Sequence, residues 1–143
     1  VRKNSLLVIF MVASILAVVG CAQLATAPEK ASEEALRQKV KMEWEAKVGK
    51  DWGAVYDLTV DAYKNNVDRN RLIRRANVNV QEFSIKEVKI IDPGKKALAL
   101  VDYRINHMGF NFKKTSREEW LWENGAWRLD LTSSLKPSFG GKK

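Results

Sequence analysis

The chain has 143 residues and a formal net charge of +8, with 25 Lys and Arg against 17 Asp and Glu. It holds 1 Cys and 1 His, which excludes an internal disulfide and leaves no Cys/His set for a metal centre. Its length suits one domain around one core.

The chain starts with Arg2 and Lys3, followed by a nearly unbroken apolar run from Leu6 to Val19. As a helix that run is roughly 21 Å long, short of a bilayer core of about 30 Å but suited to the apolar region of a signal peptide. It ends in Val18-Val19-Gly20-Cys21. These residues resemble the lipobox of bacterial lipoproteins: an aliphatic residue three before the cysteine, a small one directly before it. The resemblance implies cleavage between Gly20 and Cys21, diacylglycerol on the Cys21 sulfur, and an acyl chain such as palmitate on the new amine. Two or three chains hold a domain on a membrane far more firmly than one. Ala22 stands where an aspartate would favour inner-membrane retention, so the expected place is the outer membrane, facing the periplasm, or the cell surface in an organism without one. Loss of residues 1–20 removes Arg2 and Lys3 and no acid, and lowers the net charge from +8 to +6. That charge suits anionic headgroups or an acidic partner as well as plain solubility, and export excludes a genomic nucleic-acid role. The expected organisation is a signal peptide over 1–20, a lipidated start and tether over 21–31, one domain over 32–134 and a flexible tail over 135–143.

From Ser32 to Val48 the pattern is helical, with Leu36, Val40, Trp44 and Val48 at four-residue spacing and Glu33 and Glu34 in the first turn. Gly49 ends it. Asp51 is placed to cap a second helix whose face carries Trp52, Val55, Tyr56, Thr59 and Tyr63. Asp68 is placed to cap a third, Arg69 to Ala76, with Leu72 and Ile73 inward and four arginines in water. Beyond Asn77 the period changes to alternation. Val80, Phe83 and Ile85 alternate, then the register slips before Val88 and Ile90, which predicts a β-bulge. Asp92-Pro93-Gly94-Lys95 is turn chemistry. Ala97 to Ile105 alternates cleanly, and Leu98 and Leu100 predict burial on both faces at that end of the strand. His107-Met108-Gly109 closes it.

Asn124-Gly125 is the strongest short hairpin signal in the chain. A two-residue turn there pairs Glu123 with Ala126, Trp122 with Trp127, Trp120 with Leu129 and Glu118 with Leu131. That register gathers the tryptophans on one side, whereas a slip by one residue scatters them.

Helices followed by long, bent antiparallel strands make an α+β plan. With the aromatic-faced first helix, Lys50 to Leu58 (KDWGAVYDL) and Glu119 to Arg128 (EWLWENGAWR), it resembles the NTF2-like, SnoaL-type (cystatin-like) superfamily over about Ser32 to Leu131. The resemblance implies N-terminal helices packed on a curved sheet of about four antiparallel strands, a cone with a pocket at its wide end. Enzymes, ligand binders and inert assembly domains share that fold, so function rests on the site.

Pocket candidates are Trp44, Tyr56, Tyr63, Tyr103, Glu118, Trp122 and Trp127. Glu118 is the one acid that the hairpin register turns inward. His107 lies at a strand end where water reaches it, and Asp102 alternates away from the core. No catalytic set, metal site or cofactor motif is present. The leading expectation is therefore a membrane-anchored envelope lipoprotein whose domain binds a small apolar ligand or an envelope protein. The alternatives are an NTF2-like lyase or isomerase working through Glu118, and a purely structural assembly domain. A dimer through the sheet is compatible with the fold. Met108, Phe110 and Phe112 form an apolar hairpin end that a partner could use, but alternation predicts that Phe110 and Phe112 enter the core.

Overall fold

The structure is a computed structural model and describes residues 30–135; Gly20, Cys21 and the leader lie outside the described residues, as does the tail beyond 135. Helix α1 spans Glu33–Val48, α2 Trp52–Asp57, α3 Asp61–Lys64 and α4 Arg69–Arg75. Strands β1 Val80–Asp92, β2 Lys96–His107, β3 Phe110–Glu123 and β4 Ala126–Asp130 follow, and a 3₁₀ turn, Thr132–Leu135, ends the described chain. The four strands form one antiparallel sheet in sequence order. The α+β class and the helices on a bent antiparallel sheet are as expected.

Local chemistry sets the elements. The Ser32 side chain caps α1 by accepting from the Ala35 N–H at 3.2 Å, and the Ser32 carbonyl accepts from the Trp127 indole at 3.1 Å. Asp51 and Asp68 cap α2 and α4 as expected, accepting from the N–H groups of Ala54 and Arg71. The second helix differs from expectation. It breaks after Asp57, because Leu58 to Val60 leave the helix to pair with β4: the Leu129 N–H donates to the Leu58 carbonyl at 2.9 Å, and the Val60 N–H donates to the Leu129 carbonyl at 3.0 Å. This segment closes part of the free edge of β4. Ile73, expected inward, is exposed on α4, as is Val48 at the end of α1.

The sheet follows its side-chain pattern. Register shifts on β1 include one between Ile85 and Glu87, where the alternation slips. Trp122 faces Trp127 and Trp120 faces Leu129, while the ladder ends at Glu119 and Asp130, so Leu131 is not paired with Glu118. Asn124 and Gly125 both take positive φ, 52° and 76°, as a type I′ turn requires. Gly125→Ala places a side chain in the left-handed region and costs about 1–2 kcal/mol in urea unfolding followed by tryptophan fluorescence.

Leu36, Val40 and Trp44 of α1 pack on Ala97, Ala99 and Val101 of β2 and on Trp120, Trp127 and Leu129, all at most 2% exposed. The small Ala97 and Ala99 leave room at the centre of the concave face for three indoles. A second, smaller cluster joins Val60, Tyr63 and Val67 to Tyr56, Leu72, Leu121 and Leu131.

Helix α1 has 16 residues and is about 24 Å long, whereas β3 has 14 and is about 46 Å long. The hairpin of β2 and β3 therefore runs well past the helix. This corrects one expectation. Phe110 and Phe112 do alternate onto the concave face, but no described residue covers them, and they are 68% and 46% exposed.

Candidate functional site

Two features of the concave face carry polar chemistry or open surface. The first is a buried cluster of two carboxyls and an ammonium. On α1, Leu36, Val40, Glu43, Trp44 and Lys47 share one face, so the acid and the base are carried into the core with the apolar residues. Across from them, Glu118 sits on β3 opposite Ala99, facing the same side as Trp120.

Glu118 is 7% exposed and holds three contacts. Its Oε2 accepts from the Trp44 Nε1 at 3.2 Å; its Oε1 accepts from the Lys47 Nζ at 3.1 Å and from the Ser116 Oγ at 3.4 Å. Lys47 also makes an ion pair with Glu43, one turn back on the helix. Its Nζ lies 3.9 Å from the centroid of the Trp44 ring, a cation–π contact. The Trp44 ring in turn lies 4.8 Å from that of Tyr103 and 6.0 Å from that of Phe83.

Two carboxyls share one ammonium here, so the cluster is neutral only if one acid keeps its proton. Glu43 is that acid. It is 0% exposed, and neither carboxyl oxygen is in hydrogen-bonding geometry. Burial pushes its pKa up to about 8; the Lys47 ammonium opposes the rise and the Glu118 carboxyl adds to it. Burial on its own would lower the Lys47 ammonium, but Glu43 and Glu118 together outweigh it and hold it above its ordinary value. This is the arrangement of a lock between α1 and β3. Contacts with Trp44, Lys47 and Ser116 engage Glu118, and Glu43 is fully buried. The nearby Trp120 indole N–H is also buried without a partner, at a cost of about 1–3 kcal/mol.

The second feature is the open end of the sheet. Past Tyr103, which still touches Trp44, Ile105 of β2 and Phe112 and Phe110 of β3 face the same side, with Met108 in the turn 84% exposed.

The structure brings some expected pocket residues together and separates others. Trp44, Tyr103 and Glu118 meet as described. Trp122 and Trp127 pack edge to face at 5.3 Å and belong to the same core. Tyr56 and Tyr63 belong to the second cluster; the Tyr56 hydroxyl donates to the Val67 carbonyl at 2.9 Å. His107 is exposed opposite Phe110. Asp102 faces outward, accepting from the Thr115 hydroxyl at 2.7 Å with Lys86 at 3.9 Å. Among the described residues no three His, Cys, Asp or Glu side chains come together as a metal site, and no described helix is long and apolar enough to cross a membrane.

Glu43 and Lys47 were not among the expected site residues. The signal for them was their placement: counted from Leu36 and Val40, both fall on the apolar stripe of α1 and not on its charged face.

No protein-family model matches the chain, and no curated protein matches it in sequence. Solved structures do match. A SEC-C motif containing protein from Rhodopseudomonas palustris aligns at 13% identity and a TM-score of 0.57, over 69% of this chain and 77% of that one. Another, from Psychrobacter arcticus, aligns at 10% identity and a TM-score of 0.58; 75% of this chain spans 64% of that one, just under two thirds of its length. An NTF2-like protein of unknown function from Shewanella oneidensis overlaps 67% of this chain and 92% of its own at 16% identity, with a TM-score of 0.47. At these identities the likeness is one of fold alone.

Proposed function

We propose that the chain is an envelope lipoprotein, anchored through a diacylglyceryl Cys21, whose NTF2-like domain is a binding module and not a catalyst. One contrast carries this reading. The interior of the cone is filled, with Trp44, Trp120 and Trp127 at most 2% exposed, while Phe110 and Phe112 stand open at 68% and 46% on the same face. A small apolar ligand has no room at the centre and would have to sit at the open end; a partner surface can sit there directly. The anchor is supported by the order of basic start, apolar run and lipobox, and the expected place is the outer membrane facing the periplasm.

A lyase or isomerase centred on Glu118 is less well supported, because that carboxyl is packed under α1 and bound by Trp44, Lys47 and Ser116.

The test is crosslinking in intact cells with a photoreactive residue at Phe112, combined with palmitate labelling. The expected result is a light-dependent adduct from position 112 and none from position 124, on a chain that carries palmitate and loses it in Cys21→Ser. Absence of the adduct removes the binding module. Absence of palmitate removes the anchor.

A further inference from the structure

The open end of the sheet has a chemistry of its own. Met108, Phe110 and Phe112 are 84%, 68% and 46% exposed, and Val78, two residues before β1, is 44% exposed. The Asn106 N–H donates to the Asn79 carbonyl at 3.0 Å, which holds that entering segment against β2. Within the β2–β3 hairpin the charge near this apolar tip has one sign, and Glu82 on β1 is the acid that faces it from the neighbouring strand. From Tyr103 to Arg117 the sequence has Arg104, Lys113, Lys114 and Arg117 and no Asp or Glu. Arg104 is tied to Glu82 at 3.0 Å, but neither Lys113 nor Lys114 has an acid partner among the described residues. By strand alternation Lys114 projects on the side of Phe112 and Lys113 on the other, so the two ammonium groups straddle the hairpin just behind its aromatic end. Arg75, also exposed, is five residues from Val80, the partner of Ile105, and so within about 17 Å of the same end.

We propose that the β2–β3 hairpin tip, Met108 to Lys114, is a second contact with the membrane. Met108, Phe110 and Phe112 enter the headgroup region of an anionic leaflet, and Lys113 and Lys114 bind lipid phosphates. The inference rests on the reading of the chain as a membrane-anchored binding module and names the surface that the module binds. Exposed apolar side chains ringed by lysine gain from both halves of such a boundary, burying ring area while keeping the charges at the phosphates. A second copy is a poor occupant, because a two-fold contact would bring like-charged tips together.

The geometry also sets the pose. Ser32 lies against Trp127, which faces Trp122, and Trp122 is 12 residues, about 40 Å, along β3 from Phe110. The 11 residues from Cys21 to Ser32 reach at most about 40 Å. Anchor and tip can therefore touch one bilayer with the domain lying along it.

The test uses the full mature chain reconstituted in vesicles of phosphatidylcholine and phosphatidylglycerol in equal parts. With Cys21 acylated, Met108→Cys supplies a single free thiol for an environment-sensitive fluorophore, and Asn124→Cys supplies the control at the opposite end of β3. The expected result is blue-shifted emission from position 108, quenched by nitroxide lipids, with position 124 water-like. Lys113→Gln with Lys114→Gln, or phosphatidylcholine alone, lowers the inserted-to-free ratio roughly 10- to 30-fold. Phe110→Ser with Phe112→Ser, both at exposed positions, also releases the tip. Three results overturn the proposal: a water-like spectrum at 108; a blue shift without lipid quenching, which means a protein or a second copy covers the tip; and quenching unchanged by the double serine variant, which means that the dye alone inserts. The intact mass of the same preparation reports on Cys21 separately. A chain without the lipid overturns the anchor, and the quenching still decides the tip.

Discussion

Replacing Lys47 with methionine lowers the stability of the fold by about 3–5 kcal/mol near pH 8, the cost of leaving a buried ion cluster without one of its partners. Methionine keeps most of the stem that lies over Trp44, so the loss is mainly electrostatic. The Lys47 side chain is 16% exposed, and those of Glu43 and Glu118 are 0% and 6% exposed. Without the ammonium, two carboxyls face each other across α1 and β3 with little water to screen them, so their charged forms repel. The loss therefore shrinks as the pH falls towards the carboxyl range. Urea unfolding followed by the five tryptophans measures this directly, at pH 8 and again near pH 4.5. Lys41 is the internal control. It pairs with Glu45 at 3.7 Å on the same helix, but at 64% and 56% exposure, so Lys41→Met changes stability by less than about 1 kcal/mol at either pH. A small loss from Lys47→Met, equal at both pH values, would show that the cluster does not lock the helix to the sheet.

How far the sequence carries towards this cluster depends on the range of the physics. The hairpin of β3 and β4 was legible to the residue pair, because Asn124-Gly125 fixes the turn and only one register keeps the tryptophans together. The bulge after Ile85 was legible because a single slip in alternation has a single cause. Glu118 pointing inward followed from the same parity. The break between α2 and α3 was not legible. Periodicity ran straight through Leu58 to Val60, and what interrupts the helix is β4, about 70 residues further on. The exposure of Phe110 and Phe112 was hidden for a similar reason: alternation tells which face a side chain takes, and only the length of α1 relative to β3 tells whether that face is covered. Glu43 and Lys47 were passed over because charges four apart on a helix usually form a surface pair. In this helix both lie in line with Val40 and Trp44, and the pair closes only when Glu118 arrives from the sheet.

The proton on Glu43 makes stability depend on pH in a direction opposite to that of a salt-bridged carboxylate. Its folded pKa is raised to about 8 from an ordinary 4.5 by burial, with Glu118 adding to the rise against Lys47. Between those values the native state holds a proton that the unfolded chain has released. Stability from this group is therefore complete below pH 4.5, falls as the pH rises, and is lost once the pH passes about 8. The slope approaches about 1.4 kcal/mol per pH unit, and the total is on the order of 5 kcal/mol. Lys47 does not interfere in this window: its raised value keeps its own contribution intact up to its ordinary 10.5 and loses it only above that. Glu43→Gln carries the uncharged form at every pH. Its amide is close to the carboxyl in size and, like the protonated acid, carries no charge. The variant therefore matches the parent near pH 5, loses the alkaline slope, and is more stable by on the order of 4 kcal/mol at pH 8.5 in urea titrations. Parallel curves for parent and variant would place the proton elsewhere. The same comparison bears on function, because an acid serving a reaction must exchange its proton with a substrate. A Glu43→Gln chain that gains alkaline stability and still inserts its hairpin tip into anionic vesicles would mark this proton as part of the packing that presents the tip.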